Sequence, residues 1–495
     1  MRYLIGCDFG GGASKAILLR EDGMVVAEAE SEYATSYPRP GWAEQNPEDS
    51  FRAFVENIKK LFNSSEISPE QISAIALDGA THTAVLLDKE DKVIRPAIYW
   101  TDLRAVREAE ELKESHLDKI VKLSANTPGA LWTLPQLMWL RRNEPENFAR
   151  IHKIMSIKDY VRYRLTGDYV TDSIEACGFM LYDVNGGKWS RELCSLAGVD
   201  PAIMPKVVPP EEILSSIKTE ICRECGLSEK TKVIAGATDT VMEVYASGAI
   251  QPGQATVKLA TAGRICAVTE KPLIDGNLVC YPHVCPGLWY PGTATKSCAA
   301  SFRWYRDVFG AYEKEHYEDA YAKMAADAAQ VRAGSDGLFF HPYLQGELTP
   351  YQDEMLKGSF TGIRAFHTRA HFNRAVLEGI AYSLKDCFYC FRELGADIKQ
   401  AGIIGGGAKG ELWRQIVADM LGIPLTKAER DDSSLGSAML AGVACGVFEN
   451  YEDSVARCVK AGSVTYPNPD CAAVYEEGFL RYKKLHDALA EVYHS

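Results

Sequence analysis

The chain has 495 residues, 46% of them hydrophobic and 24% charged; that is too long for one core at ~100–200 residues per domain and too ordinary for a disordered, collagenous or coiled-coil protein. With 54 Lys and Arg against 67 Asp and Glu the formal net charge is −13, so no global field draws the chain to nucleic acid or anionic lipid, and neither is expected as a partner.

Asp8 arrives before an apolar stretch of signal-peptide length has formed, and no segment reaches the ~18 uninterrupted apolar residues of a bilayer span. A soluble, cytoplasmic protein is expected. Its fourteen cysteines then read as reduced thiols, many of them buried. The C-x-x-C pairs Cys222/Cys225 and Cys387/Cys390 lack knuckle glycines and a neighbouring His and fall in helix-like segments, so neither is assigned to a metal or a redox cycle.

In chain order, Tyr3–Asp8 predicts a strand running into glycines, residues 16–20 its hairpin return, and residues 24–29 a third strand. Pro47 opens a helix through Leu61 with acids in its first turn, where the helix dipole favours them. Residues 72–77 read as an apolar strand covered on both faces. Helical periodicity follows from about residue 103 to 165. The pattern then restarts: strands at 232–236 and 254–260, a hairpin return at 264–268, helices within 297–330 and 368–395, and a strand ending at Gly405-Gly406-Gly407. The next helix carries Leu412, Trp413, Ile416, Val417 and Met420 on one face. A strand–glycine–hairpin unit near residue 4 and again near 254 predicts two similar α/β domains with a hinge or cleft between them.

Four segments carry chemistry. In Asp8-Phe-Gly10-Gly11-Gly12-Ala13-Ser14-Lys15 the glycines turn amides toward one spot, Ser14 and Lys15 add a hydroxyl and a cation for phosphate, and Asp8 offers a carboxylate to hydrated magnesium. The spacing is neither that of a P-loop nor that of a dinucleotide-binding turn. Thr261-Ala262-Gly263 places a hydroxyl at the mirror position of the second domain. Gly405-Gly406-Gly407-Ala408, between a buried strand and an amphipathic helix, lets a flat adenosine lie against backbone. Asp239 ends a strand and begins a helix; it is either a plain helix cap or a carboxylate at a strand's C-terminal end, where a sugar hydroxyl attacking a phosphoryl group needs a base.

These segments, in this order, resemble the FGGY carbohydrate kinases of the actin-like ATPase superfamily over nearly the whole chain. Gly358-Ser-Phe-Thr-Gly362-Ile363, seven residues, then His371-Phe-Asn-Arg-Ala375-Val-Leu-Glu378 fits the family's second signature, and Pro135–Asn143 looks like the first, with Gln136 where Lys is usual. Gly41–Asp49, Tyr99–Arg104 and Pro342–Glu347 look like segments of the xylulose kinases. The resemblance implies two ribonuclease-H-like domains with a cleft between them, residues 1–246 binding sugar and residues 247–495 ATP, that close to exclude water. It implies ATP-dependent phosphorylation of a primary hydroxyl, D-xylulose to D-xylulose 5-phosphate first. Another ketopentose, a sugar acid or a polyol is the alternative, and a non-catalytic nucleotide-binding switch a more distant one. Asp239 would be the base and, with Asp8, hold magnesium. Gly10 through Lys15 and Thr261 would grip phosphates, and Gly406, Gly407 and Ala408 would flank adenosine. Thr81, His82, Trp100 and Asp102 would line the sugar pocket beside Asp239. A homodimer is a family-based expectation. Departures are Gly11-Gly12 for Gly-Thr, Ala262 for Ser, Leu348 for Arg and Thr81 for Met.

Overall fold

In the computed structural model, which describes residues 1–495, the hairpin Tyr3–Phe9 and Ala13–Arg20 continues into Val25–Glu32, and Ile72–Gly79 adds in parallel to the far side of Tyr3–Phe9. Lys232–Val233 and Ala237–Thr238 pair in parallel with Ile72–Gly79. Alternation along Tyr3–Phe9 decides which side chain faces which helix. Ile5, Cys7 and Phe9 join Phe54 and Ile58 of helix Pro47–Asn63 in one core. Leu4, Gly6 and Asp8 face the other way, where helix Ser433–Ala444 crosses so closely that a Cβ on Gly6 would stand 1.9 Å from the Ser434 carbonyl oxygen.

The second sheet repeats the plan. Gln254–Leu259 and Gly263–Ala267 form the hairpin, Trp289–Ala294 follows antiparallel, and Gln400–Ile404 then Leu425–Ala428 add in parallel. Ala461–Thr465 closes that edge. Its core gathers Phe340, Ile380, Leu384 and Phe388 around helix Arg369–Glu393, together with Trp413, Ile416 and Val417 of Glu411–Leu421. Two ribonuclease-H-like halves are therefore present, as the duplicated strand–glycine–hairpin pattern predicts.

A single cut after residue 246 does not describe the halves. One compact unit comprises residues 1–250, 280–289 and 430–460; the other comprises 251–279, 290–429 and 461–495. Packing prevails over chain order here: residues 433–444 are small and apolar on nearly every face and bury against Tyr3–Phe9 and helix Asp239–Ala246. No helix is long and apolar enough to cross a membrane. None of the fourteen cysteines is disulfide-bonded, and all but Cys445 and Cys471 are buried.

Candidate active site

In the first unit the functional side chains collect where parallel strands end. Asp8 lies beside Asp78 and opposite Lys15, and Asp78 in turn pairs with Ala237, two residues before Asp239. Burial and the nearby Asp239 carboxylate push the Asp8 carboxyl up to about 7, against the pull of a hydrogen bond to Asp78 and the charge of Lys15. Asp78 is fully buried; desolvation and Asp8 hold its carboxyl well above the carboxylate range, while Ser437 Oγ donates to its Oδ2 at 2.5 Å. Asp239 is the first residue of helix Asp239–Ala246, and Thr238, at the N-cap, makes no side-chain cap bond. Asp239 Oδ1 accepts the Thr240 amide at 2.5 Å, so the carboxylate is oriented by its own helix and half-buried.

The glycine turn is narrower than the sequence suggests. Only Gly10–Gly12 turn; Ala13 already begins the return strand. Their carbonyls are held from behind: Tyr33 Oη donates to Gly10 at 2.7 Å, Thr35 Oγ1 and Gln45 Nε2 to Gly11 at 2.5 and 3.1 Å, and the Tyr33 amide to Gly12 at 3.0 Å. That support leaves Gly12 exposed and Gly11 and Ala13 partly so. Ser14 is a correction. Directly opposite Phe9, it points to the helix Pro47–Asn63 face, where its hydroxyl is buried without a partner. Strand alternation allows only one of Ser14 and Lys15 on the Asp8 face, and it is exposed Lys15.

Thr81 and His82 follow strand Ile72–Gly79 after one residue, Ala80. His82 adopts a left-handed backbone (φ +65°), a conformation a non-glycine residue keeps only when its surroundings enforce it. Trp100 is 41% exposed, and its neighbour Tyr99 is buried against Gly11, where a Cβ would meet the phenol oxygen at 2.7 Å. Asp102 departs from expectation. It is buried, Arg104 Nε and Nη2 bind its two oxygens at 2.8 and 2.7 Å, and the Ala43 amide takes Oδ2 at 2.6 Å. This carboxylate holds the Tyr99–Arg104 loop in place and has little acceptor capacity left for a sugar.

In the second unit Thr261 and Gly406 leave the C-terminal ends of adjacent parallel strands, Gln254–Leu259 and Gln400–Ile404. Thr261 is exposed, and its carbonyl accepts the Cys298 and Ala300 amides at the start of helix Ala299–Phe309. Gly405 (φ +88°) and Gly407 fit only because they lack side chains: a Cβ on either would lie 2.8 Å from Leu259 atoms. Gly406 faces open space. Ala408 is core; its amide donates to the Gly405 carbonyl at 3.1 Å and its carbonyl accepts Arg414 Nη1 at 2.6 Å, so its backbone alone belongs to the turn. Sequence reasoning missed Asp78, Tyr99 and Ser437; a carboxylate ending an otherwise apolar strand was the available signal for Asp78.

Residues 3–245 match the N-terminal domain of the FGGY family of carbohydrate kinases, and residues 257–445 its C-terminal domain. Xylulose kinase of Bacillus subtilis is 31% identical over 489 residues, covering 98% of this chain and 97% of that protein. The crystal structure of ligand-bound xylulose kinase from Lactobacillus acidophilus superposes with a TM-score of 0.93 at 27% identity, covering 100% of this chain and 99% of that one. Gluconate kinase from the same organism does so with a TM-score of 0.93 at 28% identity and the same coverage. With duplicated ribonuclease-H-like halves and both family domains accounted for, the chain belongs to the FGGY family of carbohydrate kinases, ATP-dependent phosphotransferases that act on sugars.

Proposed function

We propose that the protein transfers the terminal phosphoryl group of ATP to a primary hydroxyl of D-xylulose. The observation that supports this most is the convergence of Asp8, Lys15 and Asp239 at the parallel-strand ends of the first unit. Thr261 and Gly406 occupy the corresponding strand ends of the second. With Oδ1 engaged by Thr240, Asp239 takes the proton of the attacking hydroxyl on Oδ2 as the new P–O bond forms. The bond from the γ-phosphorus to the β,γ-bridging oxygen breaks, and ADP leaves. Lys15 and the Gly11–Ala13 amides neutralise phosphate charge, and Thr261 and Gly406 bind nucleotide from the other unit. The Asp8–Asp239 oxygens suit magnesium: they are hard donors, near enough that one charge raises the other's pKa. No group of three or more His, Cys, Asp or Glu is arranged to hold an ion alone, so phosphate oxygens would complete the shell. Bound there, magnesium supplies charge neutralisation on the transferring phosphoryl group.

Asp239→Asn is expected to fold and bind nucleotide yet lose turnover by ~10²–10⁴-fold; near-normal turnover refutes the assignment. Measuring phosphorylated sugar directly, rather than ATP loss, separates a kinase from a non-catalytic nucleotide switch. Gluconate is the second reading, favoured by the equal fold likeness to gluconate kinase. A coupled ADP-release screen over ketopentoses, gluconate, glycerol and erythritol decides between them, and a wide gluconate or erythritol advantage in kcat/KM would overturn xylulose.

A further inference from the structure

The strand that delivers Asp239 is not regular. Val233 pairs with Ile75 and Ala237 with Asp78, so residues 234–236 stand opposite residues 76 and 77, a bulge of one extra residue in a parallel pair. There the backbone leaves the ladder: the Ala235 and Gly236 amides donate to the Glu212 and Pro210 carbonyls at 2.9 and 3.0 Å. Gly236 adopts φ +80°, and a Cβ on it would stand 2.0 Å from the Leu77 carbonyl oxygen, so the distortion depends on glycine at that position. A bulge re-aims the residues that follow it, and here those residues lead to Asp239.

The Ala235 carbonyl, in the middle of the bulge, accepts from a buried guanidinium. Arg162 is fully buried on helix Ile157–Thr166. Its Nη1 donates to Ala235, and its Nη2 donates at 2.5 Å to the carbonyl of Val170, the first residue of strand Val170–Asp172. Asp159, one turn earlier on the same helix, holds Nη1 at 2.8 Å. Lys158 Nζ joins Asp159 to Asp172 at 2.6 and 2.7 Å, and Thr171 Oγ1 donates to the other Asp159 oxygen at 2.6 Å. All five side chains are buried. Desolvating two cations and two carboxylates offsets most of what their attraction returns, and apolar side chains of like volume would serve stability as well. An apolar side chain, however, cannot donate to a main-chain oxygen.

We infer that Arg162 is a positioning residue for phosphoryl transfer: it fixes the bulge at residues 234–236 and, through it, the direction in which Asp239 presents its carboxylate. It acts through the main chain, from a carbonyl four residues before that carboxylate. Displacing a reacting group by about 1 Å costs on the order of 100-fold in rate. Lys15, Thr261 and Gly406 lie on other strands, so ligand binding does not depend on this contact. The inference rests on the sugar-kinase reading above and adds a residue to that site.

The test is Arg162→Met in the full chain, which removes both carbonyl bonds and leaves Asp159 paired with Lys158 and Thr171. With ATP and D-xylulose, and sugar phosphate measured directly, kcat should fall about 10- to 100-fold while both KM values stay within about threefold. Thr171→Val is the control. It loosens the same buried network without touching Ala235, so its kcat should stay within about threefold of wild type even where its urea midpoint falls as far as that of Arg162→Met. Equal kcat losses in the two variants, or a kcat for Arg162→Met within about threefold of wild type, overturn the inference. Amide hydrogen exchange supplies a second readout. In wild type, residues 234–238 should exchange as slowly as their partner strand; in Arg162→Met they should exchange about tenfold faster or more, with residues 254–267 of the second unit unchanged. Wild-type exchange at 234–238 about 100-fold faster than in the partner strand overturns the proposal even if the variant does not fold. If wild type phosphorylates no sugar, the sugar-kinase reading falls, and the exchange comparison still decides whether Arg162 fixes the bulge.

Discussion

Ser14 and Lys15 are adjacent, polar and plausible phosphate ligands, yet strand alternation gives them opposite fates. Ser14→Ala removes a buried hydroxyl that has no partner. It should leave the KM for ATP within about twofold and stability within ~0.5 kcal/mol, as steady-state kinetics and urea unfolding would show. Lys15→Met removes the one cation opposite Asp8 and is expected to lower kcat/KM for ATP by about tenfold or more. Equal effects of the two substitutions would contradict the side-chain placement. Asp102 teaches the same lesson: a carboxylate in a sugar-pocket segment can be consumed by a neighbouring guanidinium, here Arg104, before any ligand arrives.

At the scale of elements, two close contacts carry consequences. Helix Ser433–Ala444 presents Gly436 to helix Asp239–Ala246, where a Cβ would lie 2.3 Å from the Met242 carbonyl oxygen. A backbone atom cannot rotate away, so Gly436→Ala should push the Asp239 helix aside and cost about 1–3 kcal/mol or more in denaturant unfolding, with a fall in turnover. In the second unit, Glu347 is buried at the turn before strand Ser359–Thr361; its Oε1 accepts the Lys296 and Leu348 amides at 2.6 and 2.8 Å. Burial raises its carboxyl to about 7, with these bonds opposing. The folded state therefore holds this proton more tightly than the unfolded chain does. Stability from this group is full below pH ~4.5 and is lost as pH rises through about 7, on the order of 1–3 kcal/mol. Glu347→Gln keeps the acceptor and removes the titration, so its unfolding free energy should vary less between pH 5 and 8 than that of wild type. A parallel pH profile would sink the assignment.

On the scale of the whole molecule, residues 430–460 return to complete the first unit, and Ser437 reaches Asp78 across 359 residues of chain. A fragment of residues 1–250 would expose the face that Ser433–Ala444 covers. It is expected to bind a hydrophobic dye and unfold without a cooperative transition, whereas the full chain unfolds cooperatively; cooperative unfolding of the fragment would show that the returning helix is dispensable. Much was legible in the amino-acid order alone. Strand–glycine–hairpin units at residues 3–20 and 254–267 revealed the duplication, because strand periodicity and glycine turns are local properties. The strand-end positions of Asp239 and the 405–407 glycines were legible too, since strand ends sit next to recognisable breaks in hydrophobic pattern. The positions of Ser14, Asp78, Asp102 and helix Ser433–Ala444 were settled only by tertiary structure. Which face a side chain takes, and which distant segment meets it, depends on register and on packing between residues far apart in the chain, and local sequence encodes neither.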